Sequence, residues 1–275
     1  MAADLHIHTT FSDGTDTPEE VVKKAREAGL DTIAITDHDT VSGIERAIAA
    51  GKSSGVNIIP GVELTTETVD FEVHMLGYFI DYKSEKLKAT LDKIRDSRVS
   101  RIYEMADKLK KLGVNIDPER VLELSAGGSP GRPHVARAMV EAGAVGSIRE
   151  AFDKYIDSEG PAYVPHFKLT PEEAIKLILG ASGVPVYAHP AISKSDKMIP
   201  ALVSYGLKAI EVYYGGHSQE DTKRYFNLAK KLGLLMTGGS DYHGTQSARE
   251  IRLGDVMIPD ELVNKLSSAR GIKHE

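Results

Sequence analysis

Short apolar runs bounded by turn residues alternate with stretches of helical spacing at both ends of the chain. Residues 4–7 read as a short strand. Thr17-Pro18-Glu19-Glu20 then supplies an N-cap, a proline at the first helical position and a capping-box glutamate, which predicts a helix to about Ala28, ended by Gly29. Residues 32–36 (TIAIT) form a predicted buried strand, 42–52 an amphipathic helix and 56–59 the next strand. Late in the chain, Thr170-Pro171-Glu172-Glu173 opens a second capped helix, followed by strands at 184–188, 209–214 and 234–237. Strands alternating with helices imply largely parallel βα units, and hence an α/β fold.

The middle of the chain breaks this pattern. From about residue 84 to 160 it is rich in lysine and glutamate, patterned for three or four helices and almost without strand signals, with Pro118, Gly127-Gly128-Ser129-Pro130-Gly131 and Gly143 as punctuation. This divides the chain into residues 1–83, a helical insertion domain at 84–160, and residues 161–275 that complete the first part. A chain of 275 residues has room for one large α/β domain with such an insertion.

Composition narrows the chemistry. No apolar run approaches the roughly 18 residues a membrane helix needs, which predicts a soluble protein without a membrane partner. The absence of cysteine removes disulfides and thiolate zinc sites, and the N-terminus lacks a basic and apolar signal segment, so a cytoplasmic location is expected. A formal net charge of -6 argues against a broad surface for double-stranded nucleic acid. It leaves small phosphorylated or single-stranded substrates open.

The ten histidines are not scattered. His6 and His8 leave the first strand, His38 follows TIAIT, His189 follows VPVYA, and Asp241 and His243 follow LLMTGG. Asp13, Glu63 and His74 fall in similar places, with Glu63 expected just after the strand that holds Ile58 and Ile59. The C-terminal ends of parallel strands are where loops converge and sites form, so these nine side chains are predicted to share one mouth. His6-Ile7-His8 in extended backbone turns both imidazoles to one face, where they can grip one ion, and Asp241-Tyr242-His243 repeats the spacing. A lone histidine after a strand is usually a cap or a core residue; the coincidence over several strands points to metal. Imidazole mixed with carboxylate suits manganese, iron or zinc, and nine donors exceed the needs of one ion, so two or three divalent ions are expected, with Glu63 as a bridging carboxylate.

The series His6-Ile7-His8, Phe11-Ser12-Asp13-Gly14, Thr36-Asp37-His38-Asp39, Gly61-Val62-Glu63, His74-Met75-Leu76-Gly77-Tyr78, His189-Pro190 and Ser240-Asp241-Tyr242-His243 resembles the motifs of the polymerase and histidinol phosphatase (PHP) family. The resemblance spans nearly the whole chain. It implies a distorted (β/α)7 barrel with a two- or three-metal centre. It also implies one ion on His6, His8, Glu63 and Asp241, a second on Glu63, His74 and His189, and a third on Asp13, His38 and His243. Many relatives carry histidine where this chain has Asp13, which keeps a donor but changes its kind. Within the family, the helical insertion with Gly131-Arg132-Pro133-His134-Val135-Ala136 and the later Ala162-Tyr163-Val164-Pro165 resemble the branch that dephosphorylates nucleoside 3′,5′-bisphosphates and trims RNA from its 5′ end.

The expected function is therefore metal-dependent phosphomonoester hydrolysis on nucleotides, with 5′-3′ exonuclease action on short RNA as an extension. Glu63, Asp241 and His217 are the candidate catalytic groups, although His217 could equally cap the following helix. Arg132, offered by a glycine-rich loop before a helix, has the planar fork that phosphate needs, with His134 and Lys168 as companions. Tyr155, Tyr163 and Phe167 are candidates for a base shelf. Two rivals remain at this level: a phosphatase for a small metabolite such as histidinol phosphate, and a metal-binding regulatory or accessory module without catalysis.

Overall fold

The computed structural model describes residues 2–68, 72–245 and 251–270. Its centre is one eight-stranded sheet in the order β7-β6-β5-β4-β3-β2-β1-β8. The strands are β1 (Ala2–Asp4), β2 (Thr32–Ile35), β3 (Asn57–Glu67), β4 (Glu72–Tyr78), β5 (Val184–Tyr187), β6 (Ala209–Tyr214), β7 (Leu235–Gly239) and β8 (Ile258–Pro259). The sheet curls until its ends nearly meet. Leu5 N donates to Gly238 O, His8 N to Tyr242 O and Tyr242 N to His6 O, so the chain after β1 runs beside the chain after β7. Gly239 permits this closure, because a Cβ there would lie 2.4 Å from His6 N.

Helices cover the outside: α1 (Pro18–Glu27), α2 (Ile44–Ser54), α7 (Pro171–Gly180), α8 (Pro190–Ser193), α9 (Ile199–Tyr205), α10 (Gln219–Leu232) and α11 (Asp260–Ser268). Both expected capping boxes form, Thr17 with Glu20 and Thr170 with Glu173. The helix expected at 42–52 instead begins at Ile44, after Gly43, which offers no side-chain cap.

Two expectations about the sheet are corrected. The strand expected at 56–59 continues to Glu67 and turns back as β4, which pairs antiparallel with both β3 and β5. The sheet is therefore mixed, and β8 adds a third antiparallel pairing at β1. The β4 signal is weak because the strand is buried along most of its length and so shows no clean alternation. As a result Glu63 lies inside β3 rather than after it, and His74 lies near the start of β4. Its opposite direction carries the start of β4 to the mouth.

Residues 85–156 supply α3 (Glu85–Lys111), α4 (Pro118–Leu124), α5 (Arg132–Glu141), α6 (Ile148–Ala151) and one π-helical turn from Phe152 to Ile156. These helices enclose an apolar cluster of their own, including Ile102, Met105, Leu109, Val121, Val135 and Met139. The first half of α3 packs elsewhere, through Leu87, Leu91 and Ile94, against β3, β4 and α7. Among the described residues, no helix is long and apolar enough to cross a membrane.

Candidate metal centre

The nine predicted donors gather at the barrel mouth. Glu63 is their hub: Oε2 lies 3.2 Å from His6 Nε2, 3.1 Å from His8 Nε2 and 3.3 Å from His38 Nδ1, and Oε1 lies 3.0 Å from both His74 Nδ1 and His189 Nε2. Asp241 Oδ1 faces the same pair, 3.4 Å from His6 Nε2 and 3.2 Å from His8 Nε2. Asp13 Oδ1 lies 3.3 Å from His243 Nε2 and 3.7 Å from His8 Nδ1. Three sets have donor atoms within 4.8 Å of one another: His6, His8, Glu63 and Asp241; His8, Asp13, His38 and His243; and His38, Glu63 and His74. The first set has the composition expected for one ion. The other two differ from expectation in drawing His8 into the Asp13 group and His38 beside His74, while His189, outside all three sets, reaches them through Glu63 Oε1.

Local backbone sets these side chains. His189 and Asp241 both adopt positive φ, +26° and +57°, as does Asp39 beside His38, at +52°. Such conformations cost about 1–3 kcal/mol each and persist where surroundings over-determine them, a pattern concentrated at functional sites. Hydrogen bonds then fix ring orientation. His6 Nδ1 is held by Glu211 Oε1 at 3.0 Å, and His243 Nδ1 donates to the Asp241 carbonyl at 2.8 Å, which leaves each Nε2 facing the cluster. Tyr214 OH donates to Asp241 Oδ2 at 2.9 Å, leaving Oδ1 toward the histidines.

The donor set fits cations. Imidazoles crowd together with ring centroids of His8 4.6 Å from those of His38 and 4.2 Å from His243. His8 Nε2, Asp13 Oδ1, His38 Nδ1, His189 Nδ1 and His243 Nε2 are buried atoms without a hydrogen-bond partner among the described residues. Unsatisfied lone pairs of this kind are costly unless a cation shares them. The field points the same way. Burial disfavours a charged His8, yet the facing carboxylates of Asp241 and Glu63 outweigh it and raise its pKa to about 9. His74 rises to about 10 against its own burial, through Glu63 and Glu72. Burial opposes ionisation of Glu63 as well, but His38, His6 and His74 hold it well below the usual carboxylate range. At His38 burial prevails and lowers the pKa to about 3, so the electrostatic preference for a proton, and by the same reasoning for a divalent cation, belongs to His8 and His74, which face the carboxylates.

A cavity of about 130 Å³ opens over the cluster, and its lining brings Asp13, His38, Glu72 and His74 together with Arg98, Arg101, Arg132, His166 and Phe152. Arg132 enters from the first turn of α5, as expected, 3.6 Å from Asp157 and with its guanidinium over the rings of Phe152 and Tyr163. The preceding loop is pressed against the Phe11 segment: Ser129 N donates to Phe11 O, and a Cβ on Gly128 would lie 1.8 Å from that oxygen, so only glycine fits.

Several expected roles fall elsewhere. His134 is buried and does not line the cavity; its Nδ1 accepts from Gly131 N at 3.0 Å, closing the first turn of α5. Lys168 is also outside, held between Glu67 at 3.0 Å and Glu72 at 2.5 Å, so its charge is already neutralised. Glu72 in turn sits 3.5 Å from His74 Nε2 and orients that ring. His217 lies behind Tyr214, with Nδ1 3.0 Å from Val212 O, and the cap of α10 is the Ser218 side chain rather than His217. Of the aromatic candidates, Tyr155 packs on the helical core, Tyr163 stacks under Arg101 and Arg132, and Phe167 lies beneath Lys93. His274 lies outside the described residues.

Sequence reading missed Glu211, Arg98 and Arg101. Glu211 ends no motif, but it lies inside β6 and is fully buried, and a buried glutamate in a strand needs a partner. Arg98 and Arg101 are one helical turn apart on one face of a lysine-rich helix, where arginine in place of lysine was the available signal.

A nearly closed barrel with histidines and carboxylates gathered at its mouth is the architecture of a metal-dependent hydrolase. The model of the PHP domain matches residues 4–157, more than half the chain, and the chain belongs to that family. It is 33% identical over 255 residues to the 3′,5′-nucleoside bisphosphate phosphatase of Chromobacterium violaceum, covering 87% of this chain and 86% of the relative. It is 32% identical over 250 residues to the phosphoribosyl 1,2-cyclic phosphate 1,2-diphosphodiesterase of Eggerthella lenta (89% and 95%). With the 5′-3′ exoribonuclease Rnm of Escherichia coli it shares 36% over 247 residues (87% and 84%). A solved structure from Bifidobacterium adolescentis, described as a metal-dependent phosphoesterase, superposes with a TM-score of 0.90 at 33% identity over 98% of this chain and 96% of that one.

Proposed function

We propose that this protein hydrolyses phosphomonoesters of nucleotides, chiefly the 3′-phosphate of nucleoside 3′,5′-bisphosphates, and acts also at the 5′ ends of short RNA. The observation that carries the substrate class is the set of arginines that line the same cavity as the histidines. Arg101 is 4% exposed, its Nε lacks a hydrogen-bond partner, and among the described residues no carboxylate lies within ion-pair distance of it. Burial, together with Arg132 and Arg98, lowers its pKa to about 10, where it remains charged at neutral pH. A buried guanidinium is costly without an anion. The cavity is therefore suited to a ligand carrying negative charge at two ends, one toward the histidines and one toward Arg101 and Arg132. A nucleoside bisphosphate supplies both, whereas histidinol phosphate supplies one. The names of the Chromobacterium violaceum and Escherichia coli relatives support the same reading.

In this reading His6, His8, Glu63 and Asp241 hold one ion. Glu63 and His74, with His38 or His189, hold a second, and Asp13, His38 and His243, with His8, hold a third. The mixed nitrogen and oxygen donors suit manganese, iron or zinc. When bound, such ions supply an activated water and neutralise charge on the phosphoryl oxygens. The chain contributes Glu63 as the shared carboxylate, Glu211 and Tyr214 as groups that aim the donors, and the guanidiniums of Arg101 and Arg132 as a clamp that holds the second anion. We also propose that residues 84–160 act as an insertion domain whose role is to deliver those arginines.

The test is a phosphate-release screen with manganese, iron or zinc, over 3′,5′-bisphosphates, 5′-monophosphates, histidinol phosphate, a ribose cyclic phosphate and 5′-phosphorylated RNA. The proposal expects kcat/KM to be highest for the bisphosphate and RNA. Preference for histidinol phosphate or the cyclic phosphate would overturn it.

A further inference from the structure

Arg98 differs from Arg101 and Arg132 in the cavity lining because its charge is paired with a buried carboxylate, that of Asp39. It falls between the two apolar runs of α3, the one that packs on the barrel and the one that packs on the other helices, and is 7% exposed. One terminal nitrogen donates to Asp39 Oδ2 and, at 3.1 Å, to Thr65 Oγ1; the other donates to Pro130 O at 3.3 Å. Each of these partners belongs to a segment that carries part of the candidate centre. Asp39 follows His38, Thr65 shares with Glu63 one face of β3, and Pro130 precedes Arg132 by two residues.

The contacts interlock. Asp39 N donates to Glu63 O at 2.9 Å, and Asp39 Oδ1 accepts from Thr65 N at 3.0 Å, so Asp39 is tied to β3 at the hub residue and again two residues after it. It is held there with φ at +52°, a conformation that its neighbours must enforce. A buried ion pair gives little stability over an apolar pair of similar volume, so stability alone does not account for this arrangement.

We propose that Arg98 is a positioning residue: its three-way clamp on Asp39, Thr65 and Pro130 sets His38 against Glu63 and so tunes cation binding, while fixing the loop that presents Arg132. This rests on reading the histidine and carboxylate cluster as a metal centre. Lysine cannot replace it, since a point charge on a flexible stem has no planar fork to span three acceptors.

The experiment titrates the full chain with Co2+, following affinity and the visible absorption spectrum, which reports ligand geometry independently of turnover. Arg98→Lys is expected to lower affinity about 10–100-fold, the usual effect of losing a group that orients a ligand, and to change the spectrum while the far-UV circular dichroism stays that of the wild type. Arg98→Met combined with Asp39→Asn removes both charges of the pair, so neither is left buried alone, and is expected to fold and show the same loss. Arg95→Lys, on the exposed side of α3, is expected to change neither. Wild-type affinity and spectrum in the Arg98→Lys protein would overturn the proposal; if that protein does not fold, the same result in the double variant overturns it. Failure of the wild-type chain to bind Co2+ would overturn the metal reading, and this proposal with it.

Discussion

His6 Nδ1 and Glu211 Oε1 lie 3.0 Å apart, and both side chains are sealed from solvent. The pair determines which nitrogen of His6 is free: Nδ1–H donates to the glutamate, and Nε2 faces Glu63 and Asp241. Glu211 Oε2 also accepts from His189 N at 2.7 Å, so one carboxylate orients two members of the cluster. Glu211→Gln keeps the shape and removes the charge. It is expected to lower metal affinity about 10–100-fold with the fold retained, read by metal analysis and circular dichroism. Unchanged metal content would make Glu211 a packing residue.

Glu63 touches His6, His8, His38, His74 and His189, so its removal should act on more than one ion. Glu63→Ala is expected to strip metal from the purified protein and reduce kcat by about two to three orders of magnitude or more, the scale of losing a central electrostatic group. Metal analysis and turnover of a generic phosphomonoester check it together. Full occupancy in the variant would show that the hub is dispensable.

Arg101 presents a conflict between stability and function. Arg101→Met removes a buried charge that has no carboxylate partner among the described residues, so the free protein is expected to melt at a higher temperature than the wild type. The same change should lower kcat/KM for a 3′,5′-bisphosphate about 10–100-fold, the value of a charged hydrogen bond of roughly 1.5–3 kcal/mol. A phosphomonoester without a second phosphate should lose little. Equal losses on both substrates would remove Arg101 from anion recognition.

The division between what the chain reveals in one dimension and what it hides follows physical range. Capping boxes at Thr17 and Thr170 are local chemistry, and both form as read. The buried strands at 32–35, 184–187 and 209–214 are also legible, because a short apolar run between turn signals admits few alternatives. The gathering of His6, His189 and His243 was legible through strand-end position, whereas Glu63 reaches the same mouth from inside β3. The β3–β4 hairpin was not, since β4 is buried on both faces and loses its period-2 signature. Nor was the neutralisation of Lys168, which depends on Glu67 and Glu72 about a hundred residues away, in a pairing that only the folded sheet creates.

His134 gives a pH signature for the helical segment. Burial lowers its pKa to about 4, against 6.5 when exposed, and neutral Nδ1 is needed to accept from Gly131 N. Above pH 6.5 both folded and unfolded chains carry it neutral, and its contribution is fully present. As pH falls from 6.5 toward 4 the unfolded chain takes up the proton first, so stability is lost across that window. His134→Asn can keep an acceptor near Gly131 N without titrating. Urea unfolding at pH 7 and pH 4.5 is therefore expected to show a smaller acid loss in the variant, by about 1–3 kcal/mol. Equal losses in the two proteins would mean that His134 is protonated in the folded state at the same pH as in the unfolded chain, and that its hydrogen bond to Gly131 does not hold it neutral.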